Sequence, residues 1–129
     1  MDGVILLPSR NRPTMNELSG LSVVIPIYKE SPKIVTKLYH ELTNLGAEVI
    51  VVNDGDTVDL PYEIKDIHYA PNRGYGYAIK QGVKYATLPT ILVCDGDGQH
   101  TPSDAVKLYS AYKLITNCDM VVGCRWNLR

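Results

Sequence analysis

Thr90-Ile91-Leu92-Val93-Cys94-Asp95-Gly96-Asp97-Gly98-Gln99-His100-Thr101-Pro102 takes a run of buried-strand residues and ends it in charge. Its first five residues are apolar or β-branched, as a strand covered on both faces requires. Two aspartates one residue apart follow, each trailed by a glycine, and then come a side-chain amide and an imidazole. In an open α/β sheet, ligands bind in the crevice outside the carboxyl ends of the strands. Two carboxylates converging there repel each other unless a cation sits between them. The stretch therefore reads as a holder for a divalent metal and the phosphate that the metal carries. Taken alone, it fits equally well a turn that caps the next helix, a frequent use of glycine-flanked aspartates.

The chain on either side settles the fold class. Ser22-Val23-Val24-Ile25-Pro26-Ile27 is a short, β-branched strand stopped by proline. Ser31 and Pro32 signal a helix start, Ile34, Val35, Leu38, Leu42 and Leu45 recur at helical spacing, and Gly46 signals the stop. Glu48-Val49-Ile50-Val51-Val52 is a second buried strand running into Asn53-Asp54-Gly55-Asp56, and a weaker strand covers residues 64–69. The glycine-rich turn Asn72-Arg73-Gly74-Tyr75-Gly76 feeds a helix over residues 77–86. After the Thr90 strand, Pro102, Ser103 and Asp104 open another helix, and residues 119–122 form a last strand before Gly123-Cys124-Arg125-Trp126. Strands alternating with helices predict an α/β, mostly parallel sheet with helices on both faces. Residues 1–19, polar and punctuated by proline, read as an N-terminal arm, and residues 20–129 as one domain.

Composition narrows the function classes. Apolar residues make up 45% and charged ones 21%, so the chain is globular, and a formal net charge of −1 leaves no basic excess for nucleic acid or a membrane surface. Nothing approaches the roughly 18 apolar residues of a membrane span. Charge follows, not precedes, the short apolar patch at Val4 to Leu7, which argues against a signal peptide. Cys94, Cys118 and Cys124 are odd in number and lack CxxC spacing. They read as small buried apolar residues in a reducing cytosol.

Each polar cluster lies just after a strand: Tyr28-Lys29-Glu30, Asn53-Asp54-Gly55, residues 95–99 and residues 123–125. They should gather along one edge of the sheet as a single site. Several chemistries drop out. Gly74-Tyr75-Gly76-Tyr77-Ala78-Ile79 lacks the third glycine of the dinucleotide fingerprint, and no GxxxxGK[ST] or GxSxG run occurs. A calcium-hand loop begun at Asp95 would need glycine and glutamate where His100 and Val106 stand. A phosphoaspartate nucleophile is possible in principle but usually stands on the first strand. A metal bridging two phosphates fits hard-cation chemistry: Mg²⁺ or Mn²⁺ with one or two carboxylates and diphosphate oxygens. Asp97 and Gln99 alternate so as to point the same way from an extended turn, and Asp95 could reach the metal or a ribose hydroxyl. Asp54 suits a hydrogen bond from a base N–H, and Arg125 suits a phosphate oxygen.

Five segments, taken together, resemble the N-terminal part of a family 2 glycosyltransferase of the GT-A fold, close to the dolichyl- or polyprenyl-phosphate hexose synthases. They are Val23-Val24-Ile25-Pro26-Ile27-Tyr28-Lys29-Glu30, Val51-Val52-Asn53-Asp54-Gly55, Asn72-Arg73-Gly74-Tyr75-Gly76-Tyr77-Ala78, Asp95-Gly96-Asp97-Gly98-Gln99-His100-Thr101-Pro102 and Asp119-Met120-Val121-Val122-Gly123-Cys124-Arg125. The resemblance implies that Pro26, Tyr28 and Glu30 line the nucleotide pocket, with Val52 and Asp54 at the base. It implies that Asp95, Gly96, Asp97 and Gln99 hold ribose, metal and diphosphate, Asp95, Asp97 and Gln99 being the metal ligands, and that Arg125 approaches the phosphates or the donor sugar. Asp95 and Asp97 would activate the diphosphate, and no general base is evident. Asn53 departs from the usual paired aspartates, which puts a secondary nucleotide contact in doubt.

By the same resemblance the reaction transfers a hexose with inversion from a GDP- or UDP-hexose to an acceptor such as a polyprenyl phosphate, using Mg²⁺ or Mn²⁺. The expected location is cytoplasmic, with a membrane partner or an acceptor-binding C-terminal part completing the site. Two rival readings stand beside it: a non-catalytic module or fragment that holds the donor, and a sugar-1-phosphate nucleotidyltransferase. The last would need a glycine- and arginine-rich loop where Tyr28-Lys29-Glu30 stands.

Overall fold

A computed structural model of the chain describes residues 16–115 together with Asn117, Asp119 and Met120. Residues 121–122 of the strand expected over 119–122, residues 1–15 of the arm expected over 1–19, and Cys118, Cys124 and Arg125 lie outside the described residues.

The described elements are β1 (Leu21–Ile27), α1 (Pro32–Asn44), β2 (Glu48–Asp54), β3 (Ile67–Tyr69), α2 (Tyr75–Tyr85), β4 (Thr90–Val93) and α3 (Pro102–Leu114). All pairings are parallel, in the order β3-β2-β1-β4. Alternation along β1 splits the core into two layers. Val23, Ile25 and Ile27 join Val35, Leu38 and Leu42 of α1 and Ala105 and Tyr109 of α3. Val24 faces the other way, with Val52 and Ala78 of α2. Helices therefore cover both faces, as expected of a Rossmann-like GT-A sheet. Gly82 of α2 sits so close to Val24 that a Cβ there would collide with its γ-methyls.

Local chemistry sets the boundaries. Ser31 caps α1 by accepting from the Ile34 N–H, and Pro32 fills the first turn. α3 begins with a capping box in which Thr101 and Asp104 exchange hydrogen bonds of 3.1 Å. Three boundaries differ from the sequence reading. The third strand is only Ile67–Tyr69, because Ile64 closes a turn onto the Pro61 carbonyl and buries itself in the core before the ladder begins. α2 starts at Tyr75 instead of residue 77, since Gly74 at φ +101 serves as its N-cap. β2 continues to Asp54, so this carboxylate stands on a strand end and not in a loop.

Pro26, inside a central strand, has a geometric explanation. The β1–β4 ladder ends at Val24 paired with Val93, and the Cys94 N–H reaches the Val24 carbonyl at 3.0 Å. Two residues on, Pro26 faces the same side, where β4 has already left the sheet and no partner awaits an N–H. The connections run from β1 through β2 to β3 on one side, and β4 lies on the other. The strand order reverses between β1 and β4, and a crevice opens outside their carboxyl ends.

Candidate functional site

That crevice is a cleft of about 320 Å³ lined by the ends of β1, β2 and β4 and the start of α2. Pro26, Tyr28, Glu30, Asp54, Asp95 and Asp97 all line it. The structure thus brings together six of the residues singled out from sequence. Val52 and Gly96 are buried beneath it instead: Val52 packs in the α2-side core, and a Cβ on Gly96 would lie 2.7 Å from Cγ2 of Ile27. Gln99 is exposed and does not line the cleft. The extended alternation expected for Asp97 and Gln99 is broken by Gly98 at φ +89, and the Gln99 N–H turns back to Asp97 Oδ1 at 2.9 Å. The segment is an Asx turn. Arg125 lies outside the described residues.

Asp54 is 4% exposed, and its two oxygens accept from the backbone N–H groups of Arg73 (2.7 Å) and Gly74 (3.1 Å). An ionised carboxylate has about four lone-pair sites, so acceptor capacity remains toward the cleft. The neighbouring Asn53 is 1% exposed and turned inward. Its amide donates to the Val58 carbonyl at 2.7 Å, and its oxygen accepts from the Thr57 and Val58 N–H groups. This role needs a donor and an acceptor on one side chain, which asparagine has and an ionised aspartate lacks. The departure noted at Asn53 is thus architectural. The same loop anchors the one after β1: Thr57 Oγ1 accepts from the Lys29 N–H at 2.8 Å, while Lys29 itself sits at φ +56.

The Tyr69 hydroxyl is buried near Asp54, outside hydrogen-bonding geometry. Burial raises its pKa, and the carboxylate adds to the effect. Its ring packs edge-on against Tyr77, over which the Arg73 guanidinium lies at 4.4 Å.

At the other wall, Glu30, Asp95 and Asp97 line the cleft together. Burial raises the Glu30 pKa, and the charges of Asp97 and Asp95 raise it further. One oxygen of each aspartate is engaged: Asp95 Oδ1 by the Tyr75 hydroxyl at 3.0 Å, Asp97 Oδ1 by the Gln99 N–H. There is no cationic side chain among the described residues lining the cleft. Among the described residues, no three carboxylates, imidazoles or thiols converge enough to hold a metal unaided. Two carboxylates with one oxygen each to spare suit a small hard cation that takes its remaining ligands from phosphate and water.

His100 is structural in this arrangement, its Nδ1 accepting the Asp95 N–H at 2.9 Å. Burial pushes the Cys94 thiol up to about 12, which leaves it inert as a nucleophile. Sequence reasoning missed Asn72, Ala78 and above all Tyr75 as cleft residues. The glycines around Tyr75 marked a turn, but only the tertiary fold carries its hydroxyl to Asp95.

A parallel α/β sheet with a carboxylate-lined cleft at its switch point places the chain in the Rossmann-like class of α/β folds. The model of glycosyl transferase family 2 matches residues 22–127, and the chain belongs to this family. It is 34% identical over 122 residues to an uncharacterised protein of Methanocaldococcus jannaschii, covering 86% of this chain and 49% of that protein. It is 32% identical over 130 residues to the dolichyl-phosphate beta-glucosyltransferase of Saccharomyces cerevisiae, covering 84% of this chain and 39% of that one. With the dolichol-phosphate mannosyltransferase of Pyrococcus furiosus it shares 28% identity over 118 residues, 82% of this chain and 33% of that one. The chain thus spans between a third and a half of the length of these three relatives.

Proposed function

We propose that the chain binds a nucleoside-diphosphate hexose in the β1–β4 cleft and serves its transfer, with inversion, to a lipid phosphate such as a polyprenyl phosphate. The observation that carries this reading is that Glu30, Asp54, Asp95 and Asp97 line one cleft at the switch point of a family 2 sheet. Asp54, oriented by the Arg73 and Gly74 amides, accepts a base N–H. Tyr28 and Pro26 wall the nucleotide. Asp95 and Asp97 would hold Mg²⁺ or Mn²⁺ beside the diphosphate and Arg125 would approach the phosphates, while Gln99, outside the cleft lining, would have to turn inward to serve as a third ligand. When bound, the metal neutralises charge on the departing nucleoside diphosphate.

In the transfer, an acceptor phosphate oxygen forms the bond to C1 as the bond from C1 to the diphosphate oxygen breaks and the diphosphate leaves with the electron pair. The acceptor is already ionised at neutral pH, so no base need remove a proton. Nucleotide-sugar supply and the free, buried Cys94 favour the cytoplasm. No described helix is long and apolar enough to cross a membrane, and contact with a lipid acceptor would come through a membrane partner or a further segment.

Calorimetry with UDP- and GDP-hexoses, with and without Mn²⁺, tests the site. Asp97→Asn should weaken Mn²⁺-dependent donor binding by a hundredfold or more while the far-UV spectrum persists; unchanged affinity would sink the assignment. Labelled donor with lipid phosphate then separates transfer from holding, since binding without turnover would make the chain a donor-holding module.

A further inference from the structure

The first residue of α2 makes a contact that the donor-binding reading does not use. The Tyr75 ring is 57% exposed at the cleft, so burial of apolar surface does not explain its placement. Its hydroxyl donates to Asp95 Oδ1 at 3.0 Å. The backbone beneath it is fixed from the opposite wall, because Asp54 accepts the N–H groups of the two preceding residues, Arg73 and Gly74. Gly74 at φ +101 sets the turn that aims the first residue of the helix across the cleft. One three-residue segment thus ties the carboxylate at the end of β2 to the one beyond β4.

We propose that Tyr75 is a positioning residue for Asp95: by occupying Oδ1 it leaves Oδ2 as a single-oxygen ligand and biases the site toward Mg²⁺ or Mn²⁺ over Ca²⁺. The inference rests on the metal-assisted donor site proposed above. Small octahedral cations take one oxygen from each carboxylate, whereas Ca²⁺ accepts both oxygens of one carboxylate and a larger, more flexible ligand set. A hydrogen bond on Oδ1 competes with two-oxygen ligation and leaves one-oxygen ligation untouched. Asp97 shows the same pattern, since its Oδ1 accepts the Gln99 N–H. Both aspartates therefore offer one oxygen each. The difference is that the Asp97 constraint is backbone and fixed, while the Asp95 constraint hangs on one hydroxyl that phenylalanine lacks.

The test is the affinity of Mn²⁺ and of Ca²⁺ for the chain saturated with UDP or, separately, with GDP, read by calorimetry and, for Mn²⁺, by electron paramagnetic resonance. In Tyr75→Phe, Mn²⁺ affinity should fall about three- to tenfold, the loss of one hydrogen bond to a charged group at a partly solvated site. Ca²⁺ affinity should hold or rise, so the preference between the ions narrows, with melting temperature and far-UV spectrum unchanged. Equal Mn²⁺ affinity and an unchanged ion preference in the variant would overturn the role of Tyr75 while leaving the donor site standing. A parallel loss for both ions with a lowered melting temperature would make Tyr75 structural and overturn it likewise. Absence of Mn²⁺-dependent UDP or GDP binding in the unmutated chain would overturn the parent reading and this one with it.

Discussion

Glu48 opens β2 at one end of the sheet, and Glu30 follows β1 at the other. Their carboxyl groups shift in opposite directions. Glu48 accepts from the fully buried Ser22 hydroxyl at 2.5 Å and from the N–H and hydroxyl of Thr87, at 2.9 and 2.7 Å. These bonds hold its pKa below the ordinary 4.5, the Ser22 bond contributing most. Glu30 lies under burial and two like charges, and its pKa is raised. At the amino end of the sheet, negative charge is neutralised by donors that fasten β1 and the α2–β4 connection to β2. At the carboxyl end it is left to accumulate where the strand order reverses. The fold satisfies one carboxylate with three donors and gathers Glu30, Asp95 and Asp97 around a cleft at the opposite end, the pattern in which structural and proposed binding chemistry are kept apart.

The largest expected effect breaks the carboxyl end sterically. Gly96 lies between Asp95 and Asp97, and a Cβ there would sit 2.7 Å from Cγ2 of Ile27 and 3.3 Å from Cγ2 of Ile25. Both neighbours are β-branched and stiff. Gly96→Ala should cost about 1–3 kcal/mol of stability by overpacking, seen as a lower urea midpoint. It should also weaken Mn²⁺-dependent donor binding, because the backbone carrying both aspartates must move. A variant as stable as the parent would show that the turn yields more easily than its packing indicates.

Glu48→Ala probes the amino end. It leaves the buried Ser22 hydroxyl without its acceptor and frees Thr87, at a cost of about 1–2 kcal/mol in urea unfolding. Donor affinity should stay within twofold of the parent. Because the folded-state pKa of Glu48 is depressed, its contribution is present above the ordinary 4.5 and is lost as pH falls through the folded value. The gap between parent and variant should therefore close in acid. A loss of donor affinity equal to that of Gly96→Ala would erase the distinction between the two ends.

Much of this was legible in the sequence, for local reasons. Val23 to Ile27 and Val49 to Val52 read as buried strands because apolar β-branched runs have few other uses, and Ser31-Pro32 marks a helix start by chemistry contained in two residues. Asp54, Asp95 and Asp97 were found because each follows such a run, and strand ends in a parallel sheet share an edge. Other features depended on contacts distant in sequence. Asn53 and Asp54 are adjacent and both polar, and only the fold shows one turned into its own loop and the other into the cleft. The resemblance puts Gly96 among the residues that hold the donor, and only the fold shows Ile27 packed against it. Tyr75 lies 20 residues from Asp95 in the chain, with no periodicity to connect them.

The smallest effect is the most direct test of the contrast. Glu30→Gln removes a carboxylate whose ionisation the folded state opposes, first through burial and then through Asp97 and Asp95. A raised folded-state pKa means that stability contributed by Glu30 is fully present below the ordinary 4.5 and is lost as pH rises through the folded value. At neutral pH the glutamine variant should therefore melt slightly above the parent, and the advantage should vanish in acid, the mirror image of Glu48→Ala. In an Asp97→Asn background the advantage should shrink without disappearing, since one like charge is gone while burial persists. Mn²⁺ with UDP or GDP should likewise shrink it without abolishing it, because a cation held by the aspartates would relieve the like-charge repulsion while burial persists. A melting difference that ignores both pH and Mn²⁺ would mean that Glu30 is not electrostatically coupled to the two aspartates, and the charge accumulation at the carboxyl end would reduce to Asp95 and Asp97 alone.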